Sequence, residues 1–324
     1  MPHILITGAS GFIGTRSTQA FRAAGWSTTL VGRRPISDPD YIRHNLASPP
    51  STELLAAIER SDVVLHAAAR SSPWGSVRSF QQDNVQATRV LLDACRQQGV
   101  PKFLYVSSSS VYYRSEDQLS ITEDTPQANP AVNIYAATKQ FSEKLVRDYP
   151  GQWCILRPRA VYGPGDTVLF PRILAAAKAG RLPLLIRESS PVIGDLIYID
   201  NLTHYLKLAA ERADVTGEFN LTDNEPVPII EFLLSVFDQL DIPRPTKTVS
   251  IRKAQWAALM LEVIYRKLLW WKEPPITRFG VHVFAYSKTF DISRTIQTFG
   301  LPPFTTTEGV RNFVEWIRRE DPYS

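Results

Sequence analysis

Short apolar runs alternate with longer helical patterns over the first half of the chain. His3-Ile4-Leu5-Ile6 reads as a buried strand and Phe12 to Ala24 as the amphipathic helix after it. Ser27 to Val31 and Asp62 to His66 read as further strands, and a long helix is expected from about Ser76 to Gln98. Lys102 to Val106 is a strand running into a serine tract, Asn133 to Tyr149 a helix, and Trp153 to Leu156 a strand. Strands that are apolar throughout, rather than alternating, belong to a parallel sheet covered on both faces. The expected fold is therefore α/β, a doubly wound parallel sheet of Rossmann type with right-handed crossovers. From about Gly163 the rhythm breaks up into prolines, short strands and short helices. This divides the chain into a core over 1–165 and a smaller substrate-facing region over 166–324, interleaved with late strands of the core.

Composition narrows the class. The chain has 324 residues, 44% hydrophobic and 21% charged, which is globular and excludes disordered, collagen-like or coiled-coil chains. A formal charge of +4 without any long run of like charge does not point to nucleic acid. Two cysteines, Cys95 and Cys154, exclude a disulfide scaffold and suit a reducing compartment, with the cytoplasm as the expected location. The first residues enter a strand directly, without the pattern of a signal peptide. Five scattered histidines, with neither HExxH nor CxxC, lead to the expectation of no metal site.

The chemistry begins at Thr7-Gly8-Ala9-Ser10-Gly11-Phe12-Ile13-Gly14, a glycine turn between a strand and a helix. Gly8 permits the tight turn, Gly11 lets backbone approach a pyrophosphate, and Gly14 lets helix and strand pack closely. The helix N-terminus, with Ser10, Phe12 and Ile13 around it, presents free N–H groups to phosphates. A dinucleotide is the expected cofactor. The second strand ends Gly32-Arg33-Arg34, with no carboxylate to engage a ribose 2′-hydroxyl and two guanidiniums able to clamp a 2′-phosphate. NADP is thus favoured over NAD, with Asn45 and Leu46 placed to bond and cover the adenine.

Tyr135-Ala136-Ala137-Thr138-Lys139 sets a phenol and an ammonium one helical turn apart. A free tyrosine, with a pKa of about 10, is a poor base at neutral pH, and a neighbouring ammonium is expected to lower that value. Tyr135 would exchange a proton with a substrate oxygen while hydride moves at carbon, and Lys139 would also hold the nicotinamide ribose. The preceding strand ends in Ser107-Ser108-Ser109-Ser110, at the carboxyl edge where such sheets bind ligands.

This combination resembles the extended short-chain dehydrogenase/reductase superfamily. The resemblance spans nearly the whole chain through TGASGFIG at 7–14, HAAA at 66–69, DNVQAT at 83–88, SSSSVY at 107–112, YAATK at 135–139, LRPRAVYGPGD at 156–166 and YIDNL at 198–202. It implies that Ser108 is the catalytic hydroxyl, Tyr135 the acid/base and Lys139 its helper, with Asn84 the asparagine of the helix under the site. It also implies that His66, Ala67 and Ala68 flank the dinucleotide, that Pro158 and Val161 run beside the nicotinamide, and that hydride is transferred at the B face. Dehydratases of this superfamily carry Asp-Glu after the catalytic hydroxyl. Here Ser109-Ser110 stand there, which argues against dehydration.

Two stretches resemble the 3β-hydroxysteroid dehydrogenase-like branch: Ser72-Pro73-Trp74-Gly75, and Pro274 to Phe279 followed by Phe290-Asp291-Ile292-Ser293. The resemblance implies a sterol or β-keto acyl substrate, with Trp74, Ser109 and Arg278 as its candidate contacts. Trp256, Leu259, Met260, Val263, Ile264, Trp270 and Trp271 fall at helical spacing within 254–271, interrupted by Glu262, Arg266 and Lys267. Three readings remain open: an apolar lid, a helix lying on a membrane surface, or a core helix. A sugar-nucleotide epimerase is the alternative function, its diphosphate served by Arg187, Arg278 and Arg294. A dinucleotide-sensing binding protein is a second alternative. The resemblance further implies homodimers formed through the helix after the fourth strand and the one carrying Tyr135.

Overall fold

Val63-Val64-Leu65-His66 are all buried, because the strand they form is covered on both sides. In the computed structural model, which describes residues 1–72, 74–187, 190–269 and 272–320, this strand is the middle one of seven. The sheet comprises β1 (His3–Thr7), β2 (Ser27–Gly32), β3 (Tyr41–Arg43), β4 (Val63–His66), β5 (Lys102–Val106), β6 (Gln152–Pro158) and β7 (Gly217–Leu221). Their order is β3-β2-β1-β4-β5-β6-β7, every pairing parallel. The strand order reverses between β1 and β4, which creates the crevice where such sheets bind ligands.

Side-chain alternation builds two cores. Ile4, Ile6, Val63, Leu65 and Leu104 face one layer. Leu5, Val64, Phe103, Tyr105 and Ile155 face the other. Burial of each such side chain contributes about 1.5–3 kcal/mol relative to exposure. The first layer contains α1 (Phe12–Ala23), packed on α5 (Ile199–Glu211). The second contains α2 (Thr52–Glu59), α3 (Ala87–Gln98) and α4 (Ile134–Arg147). Asn133 caps α4, its side-chain oxygen accepting the Ala136 N–H at 2.8 Å. Helix α5 and β7 form one more strand-helix unit that the irregular rhythm beyond Gly163 conceals.

The single helix expected from Ser76 to Gln98 is divided. A short α-helical segment, Val77–Phe80, leads into a π-helical turn, Gln81–Gln86, and only then into α3. Such wide turns interrupt the normal i→i−4 ladder and occur often at functional sites. Here the wide turn carries Asn84.

The remaining chain caps the carboxyl edge with α6 (Ile229–Gln239) and with an antiparallel-looking helix pair, α7 (Ile251–Leu268) and α8 (Arg278–Ala285). Ala254 and Ala258 of α7 pack against Val281 and Ala285 of α8. The expectation of a core helix is corrected here. Small residues and Glu262 form the buried face of α7, whereas Trp256 is 68% and Met260 56% exposed, with Val263 and Ile264 beside them. The lid reading also fails, because the cavity wall is supplied by α8 rather than α7. Trp270 and Trp271 lie outside the described residues. Among the described residues no helix is long and apolar enough to cross a membrane.

Candidate active site

A cavity of about 580 Å³ opens at the carboxyl edge of the sheet, beside the strand-order reversal. Its floor is the glycine turn. Gly8 has φ +69°, and a Cβ there would stand 2.8 Å from the Ala68 backbone. A Cβ on Gly14 would stand 2.2 Å from the Gly8 carbonyl oxygen. Only glycine fits either position, and the result is a cradle of bare backbone. No side chain caps the N-terminus of α1, so its N–H groups remain available to an anion. This cradle fits a dinucleotide pyrophosphate. Gly8, Ser10, Gly11, Phe12, Ile13 and Gly14 all line the cavity.

At one end the cavity is bounded by Arg33, Arg34, Asn45 and Leu46. Arg34 donates to the Ser10 carbonyl at 2.7 Å, which draws it against the glycine turn. Arg33 pairs with Asp83 at 2.8 Å, and Asp83 also holds Arg70 at 2.8 Å. Ala67 and Ala68 line the middle, with Pro158 and Val161 opposite.

At the other end stand Ser108, Ser109, Tyr135 and Lys139. Ser108 accepts from the Ser110 N–H at 3.2 Å and the Ser110 hydroxyl at 3.0 Å. Tyr135 lines the same wall of the cavity as Ser108. Lys139 is buried, donates to the Val106 carbonyl at 2.7 Å, and lies 5.9 Å from the centre of the Tyr135 ring. Electrostatics here reverse one expectation. Burial pushes the Tyr135 phenol up to about 12, and it is the Ser108 side chain, not Lys139, that draws it partly back. Burial likewise pulls the Lys139 ammonium down to about 7, with Glu143 opposing. Desolvation outweighs the cation's help because both groups are shielded from water together. A phenol of this kind is protonated at neutral pH and is a proton donor.

Four predicted contacts lie outside the cavity. His66 is fully buried beneath the glycine turn, between Thr7 at 2.7 Å and Thr88 at 2.9 Å. Thr88 spends its proton on the Asn84 carbonyl, so His66 Nε2 must donate to Thr88 and Nδ1 accepts from Thr7. The ring is thus a neutral brace, and burial draws its pKa down to about 3. Asn84 touches no cavity surface. Its amide oxygen accepts the Arg70 N–H at 2.7 Å and its amide nitrogen donates to Thr138 at 2.9 Å, which ties α4 to the loop after β4. It positions the Tyr135 helix rather than meeting reacting atoms. Trp74 lies under the Arg266 guanidinium, 5.3 Å away, and packs against α7. Arg278 is paired with Glu262 at 2.9 Å on the far side of α8.

Two groups escaped the sequence reading. Glu143 and Arg157, both buried, form a forked ion pair with contacts of 2.9 and 2.7 Å. Ser107 donates to the same carboxylate at 2.6 Å, and Arg157 also meets Glu218 and Tyr112. This network joins β5, β6, β7 and α4 next to Ser108 and Lys139. Its signal was the spacing of Glu143, one turn beyond Lys139 on the same face. The second is Arg159, which is 4% exposed and lines the cavity beyond Ser109. A second arginine in so apolar a segment as Ile155 to Val161 was the available sign.

Comparison with known proteins agrees with this site. Residues 4–222 match the model of the NAD dependent epimerase/dehydratase family. A 2-alkyl-3-oxoalkanoate reductase of Shewanella oneidensis is 31% identical, covering 94% of this chain and 84% of that one. A 3β-hydroxysteroid-dehydrogenase/decarboxylase of Arabidopsis thaliana is 28% identical over 82% of this chain and 64% of its own. The structure of a UDP-glucuronic acid 4-epimerase from Bacillus cereus, in complex with NAD, superimposes with a TM-score of 0.74 at 20% identity, covering 98% and 99% of the two chains. That likeness shows the shared fold. The chain belongs to the NAD-dependent epimerase/dehydratase family and is an NAD(P)-dependent dehydrogenase/reductase of the extended short-chain type.

Proposed function

We propose that the chain interconverts a ketone and a secondary alcohol on an apolar substrate, with NADP as its preferred cofactor. The observation that carries this reading is that Ser108, Tyr135 and Lys139 line one cavity with the glycine cradle. Residues 1–165 hold the dinucleotide and 166–324 supply the substrate wall. The bound nicotinamide supplies or accepts hydride. Ser108 and Tyr135 bind the reacting oxygen, and Tyr135 donates the proton that completes an alcohol from a ketone. Lys139 holds the ribose side of the site, and Asn84 keeps α4 in register. Beyond Ser109 the wall is mainly apolar, with Phe232, Leu233, Phe279, Val283 and Phe284. That wall suits a sterol or a β-keto acyl chain, in keeping with the activities named for the relatives.

The NADP preference rests on Arg33 and Arg34 at the end of β2, where no carboxylate stands to repel a 2′-phosphate. The ratio of dissociation constants for NADPH and NADH tests it, and tighter NADH binding overturns it. The substrate reading is tested by a spectrophotometric screen of NADPH and NADP⁺ against sterols, β-keto acyl compounds, aromatic aldehydes and UDP-sugars. The epimerase alternative called on Arg187, Arg278 and Arg294 for a diphosphate. These pair instead with Asp117, Glu262 and Asp124, which removes the three cations that reading relied on.

The outward face of α7 is proposed to rest on an anionic lipid surface. Trp256, Met260, Val263 and Ile264 are flanked by exposed Arg252, Lys253, Arg266 and Lys267, while Glu262, the helix's acidic residue, is turned inward and paired. Sedimentation with phosphatidylglycerol vesicles should decline for Trp256→Ser with Met260→Ser. Equal sedimentation, or dimer formation through this face, overturns the assignment. Homodimerisation is assigned instead to α3 and α4, where Phe141 is 45% exposed. Sedimentation velocity of Phe141→Asp should show a monomer, and an unchanged dimer overturns that assignment.

A further inference from the structure

Beyond the serine tract the cavity wall carries one cation. Arg159 follows β6 directly, is 4% exposed, and lines the cavity. Its Nε has no hydrogen-bond partner, and no described carboxylate stands within ion-pair distance of its guanidinium. The guanidinium carbon lies 5.3 Å from the centre of the Tyr113 ring. The Tyr113 hydroxyl is bonded to Ser109 at 3.0 Å, one residue from Ser108.

The nearest opposing charge is Asp195, which Arg159 acts on through space but with which it forms no ion pair. Asp195 is buried and accepts the Phe290 N–H at 2.8 Å through Oδ2, but its Oδ1 is unpartnered. Lys288 sits 5.8 Å from the same Tyr113 ring and donates to the Glu116 carbonyl. A guanidinium cannot shed its proton inside a protein. A buried one without a hydrogen-bonded carboxylate is costly, and elsewhere this chain avoids the situation: Arg157 is buried too and forked onto Glu143.

We infer that Arg159 is the anchor for a substrate carboxylate, and that the substrate is a 3-hydroxy or 3-oxo acid with an apolar body. This rests on the reading of Ser108 and Tyr135 given above. In such an acid one carbon separates the carboxylate from the reacting carbon, so the anion site must adjoin the site of the reacting oxygen. Ser109 and Tyr113 are what connect Ser108 to Arg159. The planar guanidinium fork matches a carboxylate and would be paired by it. In the oxidising direction the Tyr135 phenolate would take the hydroxyl proton, and a bound dinucleotide would accept the carbinol hydrogen as hydride. The carboxylate is untouched and serves only to orient.

The test compares 3-hydroxydecanoate, its methyl ester and 2-decanol as substrates with NADP⁺. The wild type should prefer the acid. Arg159→Gln should lower kcat/KM for the acid about 10- to 100-fold, chiefly through KM, and leave ester and decanol within about threefold. Equal loss on all three, or no change, overturns the assignment. Should that variant not fold, Arg159→Lys decides, because it keeps the charge and loses the fork. A KM rise confined to the acid supports the anchor, and a parallel loss overturns it. A wild type that oxidises ester and decanol as well as the acid overturns the anchor alone. A wild type that oxidises none of the three overturns the apolar-alcohol reading of the site itself.

Discussion

The two ends of the cavity are built in opposite ways. Behind the reactive side chains, buried polar groups are matched: Glu143 with Arg157 and Ser107, His66 with Thr7 and Thr88, Lys139 with the Val106 carbonyl. Around the substrate end, Arg159 and Asp195 retain unpartnered atoms, and α7 presents its apolar face outward. The bonds of the matched end are made within the protein itself, which suits the fixed geometry that proton and hydride transfer require. The unmatched end leaves specificity to whatever enters.

Five experiments would break or sharpen this contrast. The largest effect belongs to Tyr135→Phe, which should reduce turnover by roughly 10²–10⁴ while the NADPH dissociation constant stays nearly unchanged. Unaltered turnover would remove Tyr135 from the chemistry. Next, Arg157→Leu leaves the buried Glu143 carboxylate unpaired and should cost about 3–5 kcal/mol in urea unfolding. A loss below 1 kcal/mol would mean that the network is not what braces the site.

His66 gives the third test, through pH. Its pKa falls from 6.5 in the unfolded chain to about 3 in the folded one, so below 6.5 the unfolded state takes up a proton that the folded state refuses. Stability should therefore drop as pH falls from 6.5 towards 3, by several kcal/mol, and His66→Gln should flatten that slope. Fourth, Asn84→Ala should lower kcat about tenfold, with substrate KM little affected, since it removes bonds that hold α4 in place. Asn84→Asp, which keeps the bond to the Arg70 N–H, should recover part of the loss. The smallest effect is at the uncommitted end, where Trp256→Ser should alter stability by less than about 0.5 kcal/mol.

The raised Tyr135 pKa bears on how each direction of the reaction depends on pH. A group at about 12 is protonated throughout the neutral range, so proton donation to a ketone is available there without titration. Alcohol oxidation needs the phenolate and should accelerate as pH rises from 7 to 10, whereas ketone reduction should stay flat. Opposite slopes would show that the phenol titrates far lower in the working enzyme.

Much of this site was legible along the chain. Bare glycines at 8 and 14, the Tyr135 and Lys139 pair, and the serine tract each carry a local signature, because a tight turn, a helical spacing and a strand end depend on near neighbours. The alternating apolar runs likewise specified the parallel sheet and its carboxyl edge. The errors share a cause. Trp74 and Arg278 have residue types suited to a substrate site, yet Arg266 and Glu262 occupy them, and both of those partners lie on α7. Whether His66 faced the cofactor or the core depended on Thr7 and Thr88 from two other elements.

The sequence by itself determined the fold class and brought the glycine turn, Ser108, Tyr135 and Lys139 to notice as one group, because each follows from backbone geometry and short spacing. Only the tertiary structure decided which charges are paired, how far burial moves Tyr135 and Lys139, and which face of α7 meets solvent. Those outcomes depend on desolvation and on long-range partners, and the linear order of residues does not specify either.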